Sequence, residues 1–202
     1  MAVRAVVAPP PVNHPGYLAG QTAPPYLLST TVANAAAIAA VDVVYLWMWM
    51  PLAPVTPVSF GIRVGVGGAG SAMKIGVWAN NAGTMRPTSV PLVSDNTGVA
   101  TTSNNTFALG SVTARTFSPG APVWIGAKFT GTLPTATQVG LQGDGARMWA
   151  GGIVSGSNAG SLMVGVSAPD AYANDIAALD LTSATFTLVG QSAGMPAYFM
   201  GT

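Results

Sequence analysis

From Val43 onward, apolar and polar residues alternate with the two-residue period of β-strands. In VSFGIRVGV (58–66), Phe60, Ile62, Val64 and Val66 share one face, and Ser59, Gly61, Arg63 and Gly65 share the other. SAMKIGVWA (71–79) alternates in the same way, setting Met73, Ile75 and Val77 against Lys74, Gly76 and Trp78. GGAG lies between the two runs and NNAG follows the second. The spacing predicts a β-hairpin. Further strands are predicted over 89–94, 98–103, 106–109, 112–117, 122–129, 137–141, 160–166, 185–189 and 197–200. About ten to twelve short strands with frequent turn signals predict an all-β fold, an antiparallel β-sandwich of jelly-roll type. Residues 142–183 are less regular, although DAYANDIAAL could form one short helix.

YLWMWM (45–50) breaks the alternation because it is apolar on both faces. Tyr45, Trp47 and Trp49 point one way, and Leu46, Met48 and Met50 the other. The outer face of a sandwich strand is normally wet. Large aromatic side chains there leave about 150–250 Å² each to be covered. The cover could come from the chain's own N-terminal arm or from a neighbouring protomer. It is unnecessary if the strand crosses between two cores or lies under the 142–183 excursion. We place Tyr45, Trp47 and Trp49 at an assembly interface, together with Tyr17, Tyr26 and Leu27 of the arm.

The arm is the stretch before this β region. APPPVNHPGYLAGQTAPPYLL holds six of the 16 prolines, which favours an extended or polyproline-like course. Its Tyr and Leu residues suit a segment that docks on something. TVANAAAIAAVD (31–42) suits a short helix by its alanine content or, almost equally, an extended segment. Two units are expected: an arm over 1–40 and a sandwich over 41–202.

Two strands carry a matched outer face. Trp78, Gly76 and Lys74 recur in reverse chain order as Trp124, Gly126 and Lys128 in the strand 122–129. Antiparallel pairing in that register puts Trp78 beside Trp124 and Lys74 beside Lys128. The lysine pair argues mildly against it. Such a face could stack a sugar ring, with Trp78, Trp124, Lys74 and Lys128 as ligand-binding residues, or it could be packed under other polypeptide.

Composition narrows the chemistry. Only 6% of residues are charged, against about 25% in an ordinary soluble domain. The seven basic residues are scattered, which gives no footprint for nucleic acid. The weakly charged surface suits a subunit fixed in an assembly better than a free monomer. Cysteine and glutamate are absent, and the one histidine, His14, lies in the arm. Disulfides and thiolate metal sites are therefore excluded, and catalysis would have to rest on aspartates. A glycoside-cleaving pair needs carboxylates about 5–9.5 Å apart. Asp95, Asp144, Asp170, Asp175 and Asp180 read instead as turn residues. Asp170, Asn174 and Asp175, or Asp144, could in principle ligate Ca²⁺, but no spacing matches an EF-hand loop. No cofactor, no metal and no enzymatic activity are expected. Mean hydropathy is +0.47, yet the most apolar window, 32–52, contains Asn34 and Asp42 and ends in β-like sequence. We expect no membrane span, and the apolar run before the first prolines is too short for a secretory signal.

The order of segments resembles β-sandwich domains of tailed-bacteriophage fibre and spike proteins. The stretch VVYLWMWMPLAPVTPVSFGIRVGVGGAGSAMKIGVWANNAG is similar to their opening, in which a strand reading K-x-G-x-Y/W precedes an Asn/Gly turn. VPLVSDNTGVATTS resembles the segment that follows. FSPGAPVWIGAKF resembles a later strand, with Ser118, Pro119, Gly120 and Trp124 in matching places, and MPAYFMG resembles a closing strand. The likeness runs over about residues 41–140. It implies a structural protein of the virion surface, such as a head fibre, tail fibre, spike or decoration subunit. Such a subunit is often a homotrimer, contacts other virion proteins and has no fixed catalytic residues. Recognition of a host surface polysaccharide is the alternative function.

Overall fold

The computed structural model describes residues 32–49, 51, 53–84, 86–139, 163–190, 196 and 198–201. The arm residues Tyr17, Tyr26 and Leu27, His14 and Asp144 lie outside the described residues. The chain is an all-β antiparallel sandwich, its sheets curled into a half-barrel. Twelve strands are described: β1 (Val32–Ala37), β2 (Val43–Trp49), β3 (Ser59–Arg63), β4 (Ala72–Asn81), β5 (Arg86–Pro87), β6 (Val93–Ala100), β7 (Phe107–Ser111), β8 (Val123–Thr130), β9 (Thr135–Val139), β10 (Met163–Pro169), β11 (Thr187–Gly190) and β12 (Tyr198–Gly201). The large sheet has seven strands in the order β11-β10-β2-β8-β4-β5, with β6 also on β4. A three-stranded sheet, β12-β3-β7, faces it, and β1 pairs with β9.

The main core lies between the sheets, where the period-2 faces meet. Met73, Ile75 and Val77 of β4 and Ile125, Ala127 and Phe129 of β8 pack towards Phe60 and Ile62 of β3 and Tyr198 and Met200 of β12. Tyr45, Trp47 and Trp49 point into this same core. Trp49, Phe60 and Phe117 form an edge-on aromatic cluster with ring centroids 5.6–6.4 Å apart.

One tyrosine ties the two layers together. The backbones of Tyr45 and Ala127 are partners in the β2–β8 ladder. The Tyr198 hydroxyl reaches between them from the opposite sheet. It accepts from the Ala127 N–H at 3.0 Å and donates to the Tyr45 carbonyl at 2.6 Å. A buried hydroxyl is tolerated when it is satisfied in both roles. Burial pushes its ionisation well above the ordinary tyrosine value, opposed by the bond from Ala127, while nearby Tyr45 raises it further.

The structure revises several sequence expectations. The runs 58–66 and 71–79 do not form a hairpin: β3 pairs with β7 and β12, and β4 pairs with β5, β6 and β8. Alternation marks a strand with one buried face but does not say which sheet it joins. The intervening glycines serve close approach, since a Cβ on Gly68 would lie 1.6 Å from the Thr132 carbonyl oxygen. Residues 32–37 form a strand rather than a helix because β9 supplies a partner, and tertiary pairing outweighs alanine propensity. Ile38, just after β1, is buried in the main core. The strands expected at 89–94 and 98–103 are one bent strand, β6, whose register with β4 shifts near Gly98, held at φ +87°. Residues 112–117 form no strand of their own; they hold to 55–58 through the Val55–Phe117 bridge and the Val112 N–H to the Val58 carbonyl at 2.9 Å. DAYANDIAAL makes a three-residue 3-10 turn, Ile176–Ala178.

Replacing Tyr198 by Phe leaves the Ala127 N–H and Tyr45 carbonyl without the bridging hydroxyl. We expect a loss of about 1–3 kcal/mol in urea unfolding at neutral pH. The folded pKa is raised, so the tyrosine term is fully present below about pH 10 and is lost as pH rises past it. The wild type should lose stability steeply above that pH, and Tyr198→Phe less steeply.

Candidate functional site

Three strands at the centre of the large sheet are buried on both sides. Val44, Leu46 and Met48 of β2, Trp78 of β4, Trp124 of β8 and Val166 and Ala168 of β10 form a second apolar cluster on the outer face, closed by Ile176 and Leu181. The cover is residues 170–186, the connection from β10 to β11. The covered outer face of YLWMWM is that of Leu46 and Met48, whereas the aromatic face, for which the sequence reading sought a cover, lies in the main core. Tyr45, Trp47 and Trp49 are core residues of the single chain and are not open to a partner.

β4 and β8 pair in the register read from the sequence: Trp78 opposite Trp124, Gly76 opposite Gly126 and Lys74 opposite Lys128. The glycines are a bed for the ring. A Cβ on Gly76 would meet the Trp78 indole at 2.8 Å, and one on Gly126 would meet Leu46 at 2.5 Å and Trp78 at 3.1 Å. Trp78 is 0% and Trp124 3% exposed, so neither offers an open face to a sugar. Their ring nitrogens are committed as well. Trp78 Nε1 donates to the Leu179 carbonyl at 3.1 Å, and Trp124 Nε1 to Asn80 Oδ1 at 2.9 Å.

The two lysines do not simply repel. Both donate to the Asn174 carbonyl, Lys74 at 3.0 Å and Lys128 at 2.9 Å. Lys128 is 0% exposed, forms an ion pair with Asp170, and donates to the Ala171 carbonyl at 3.0 Å. Lys74 lies 4.9 Å from the centre of the Tyr172 ring. Desolvation raises the Tyr172 pKa, and the Asp95 carboxylate adds to the rise. The covering segment is pinned at its other end too. Arg86 donates to the Ala184 carbonyl and stacks on Phe186, 4.9 Å from ring centre, and the Leu181 N–H donates to the Ser89 carbonyl at 3.1 Å.

The aspartates are occupied by this loop chemistry. Asp170 accepts from Asn174 Nδ2 at 2.8 Å, Asp175 caps the 3-10 turn at Ala177 N, and Asp42 accepts from Tyr172 N at 2.7 Å. Asp95 accepts from both Thr97 groups. Asp180 accepts from Thr182, whose hydroxyl and then its N–H hold the Asp180 carboxyl below its usual range. Among the described residues no group of three or more His, Cys, Asp or Glu is placed to hold a metal ion, and no helix is long and apolar enough to cross a membrane.

A second surface escaped the sequence reading. On the outside of the three-stranded sheet, Phe199 stands opposite Gly61 and Gly61 opposite Leu109. Phe107 meets Phe199 edge-on, ring centres 5.2 Å apart at 80°. All three side chains are partly buried, and Phe199 also packs against the main core. The signal was available: TFALG and AYFM are apolar at nearly every position, so one face of each short strand had to point outward.

Comparison with protein-family models, with curated proteins and with solved structures finds no match to this chain.

Asp170→Ala leaves the Lys128 ammonium buried without its counter-charge and should cost about 3–5 kcal/mol in denaturant unfolding. Lys128→Met combined with Asp170→Ala should cost clearly less than the sum of the single changes. Gly126→Ala, which drives a methyl into Leu46 and Trp78, should cost about 1–3 kcal/mol. A neutral result there would contradict the indole's position.

Proposed function

We propose that this chain is a non-enzymatic structural subunit of a bacteriophage-like particle, a fibre, spike or decoration protein held to its neighbours through its proline-rich arm and its apolar surface. The observation that carries the assembly reading is the strip of Phe107, Leu109 and Phe199. The fold covers the outer face of its large sheet with its own chain and leaves an aromatic outer face on the small one. A partly exposed apolar strip on a surface with few charges is a liability for a free protomer and an asset in an interface. The five aspartates among the described residues each accept hydrogen bonds that shape loops, which supports a role without chemistry. Placement on a virion rests on the likeness of residues 41–140 to phage fibre and spike domains. Recognition of a surface polysaccharide by Trp78 and Trp124 needs an open ring, and residues 170–186 cover both.

Light scattering of the purified chain should give the mass of a homo-oligomer, with a trimer expected. Deleting residues 1–30 removes none of the described strands. The truncated chain should keep its cooperative unfolding transition and lose its capacity to join particles. A truncated chain that assembles like the full one would remove the arm from this reading.

A further inference from the structure

Where the covering segment meets β8, an amine and a carboxyl group are held together away from water. The Lys128 side chain is 0% and the Asp170 side chain 6% exposed, and the two are paired directly. The ammonium has three N–H groups, and they meet the Asp170 carboxylate, the Ala171 carbonyl at 3.0 Å and the Asn174 carbonyl at 2.9 Å. The two carbonyls fix two of the N–H groups, so the third is aimed at Asp170. The other carboxyl oxygen, Asp170 Oδ1, accepts from Asn174 Nδ2 at 2.8 Å. Asn174 thus serves both partners, the amine through its backbone oxygen and the carboxyl through its side-chain amide.

We propose that Lys128 and Asp170 close into an intramolecular amide, a covalent pin between β8 and the covering segment. The ion pair is the state in which the chain folds, and the amide is its product. Passing one proton from Nζ to Oδ2 turns two buried charges into a neutral amine and a carboxylic acid, which removes a desolvation penalty. The nitrogen lone pair then lies where the third N–H was and faces the carboxyl group. A small turn of that group about Cβ–Cγ presents Cγ, and the N–Cγ bond forms. The negative charge that develops on Oδ1 falls against the Asn174 amide donor. A second proton moves from nitrogen to Oδ2, the Cγ–Oδ2 bond breaks, and water leaves. One N–H stays on the new amide, and the step consumes no other reactant. Well-oriented groups in one molecule react at effective concentrations of about 10⁵–10⁸ M, which offsets the unfavourable equilibrium of amide formation in water. The link joins residues 42 apart and fastens the start of the cover over Trp78 and Trp124. It is independent of the assembly reading.

Mass spectrometry of the unsubstituted chain tests this without relying on a variant that must fold. The chain is incubated at neutral pH, denatured, measured intact and then digested with trypsin. The expected intact mass is lower than that of the sequence by one water. Trypsin should leave Lys128 uncut and release residues 116–147 joined to residues 148–202. Fragmentation of that pair should place the bond between Lys128 and Asp170. The full sequence mass after prolonged incubation, with Lys128 cleaved, overturns the proposal. So does loss of a water with Lys128 still cleaved, the pattern of a succinimide at Asp144–Gly145. A link from Lys128 to any other residue overturns it as well.

Discussion

Burial of the Lys128 ammonium dictates how the outer half of this domain is built. An ammonium in the middle of a strand cannot be stripped of water unless carbonyls and a carboxylate replace the lost hydration. Asp170, Ala171 and Asn174 do this from a single stretch of chain. That requirement fixes the first turn of the covering segment over β4 and β8. The rest of the segment then falls across Trp78, and Ile176 and Leu181 complete the apolar cluster. Polar satisfaction at one end and apolar burial at the other hold the same loop, so neither is secure without the other.

The consequence is a three-layer arrangement from a chain that reads as a two-layer sandwich. The large sheet is sandwiched between the small sheet and residues 170–186, which explains why β2 and β8 are buried along almost their whole length. On the small sheet the outward Phe107, Leu109 and Phe199 are only partly buried. The asymmetry separates a self-contained side of the molecule from a side with an aromatic surface, and it is this second side that the assembly reading uses.

Much of this was legible in the chain. Period-2 alternation located most strands, and the mirrored Trp, Gly and Lys positions of 71–79 and 122–129 gave the β4–β8 register residue for residue. The lysine repulsion that argued against that register is met by a backbone carbonyl 100 residues away from Lys74, which no local pattern reports. The alternation of 58–66 and 71–79 could not say that these strands face each other across a core instead of pairing, because both arrangements bury the same faces. Residues 170–186 looked like a loop since their apolar residues follow no period and are broken up by aspartates and other polar residues. Their role depends on where β10 and β11 place them. The outward face of β7 and β12 was hidden by the opposite problem, strands apolar at nearly every position.

The central claim is that residues 170–186 are a fixed layer of the fold. Backbone hydrogen exchange measured residue by residue addresses it directly. The Ile176 and Leu181 amides, bonded to Asn96 Oδ1 at 3.1 Å and to the Ser89 carbonyl at 3.1 Å, should be protected to a degree comparable with the amides of β8. Exchange of both at the rate of a solvated loop, while β8 stays protected, would contradict the account.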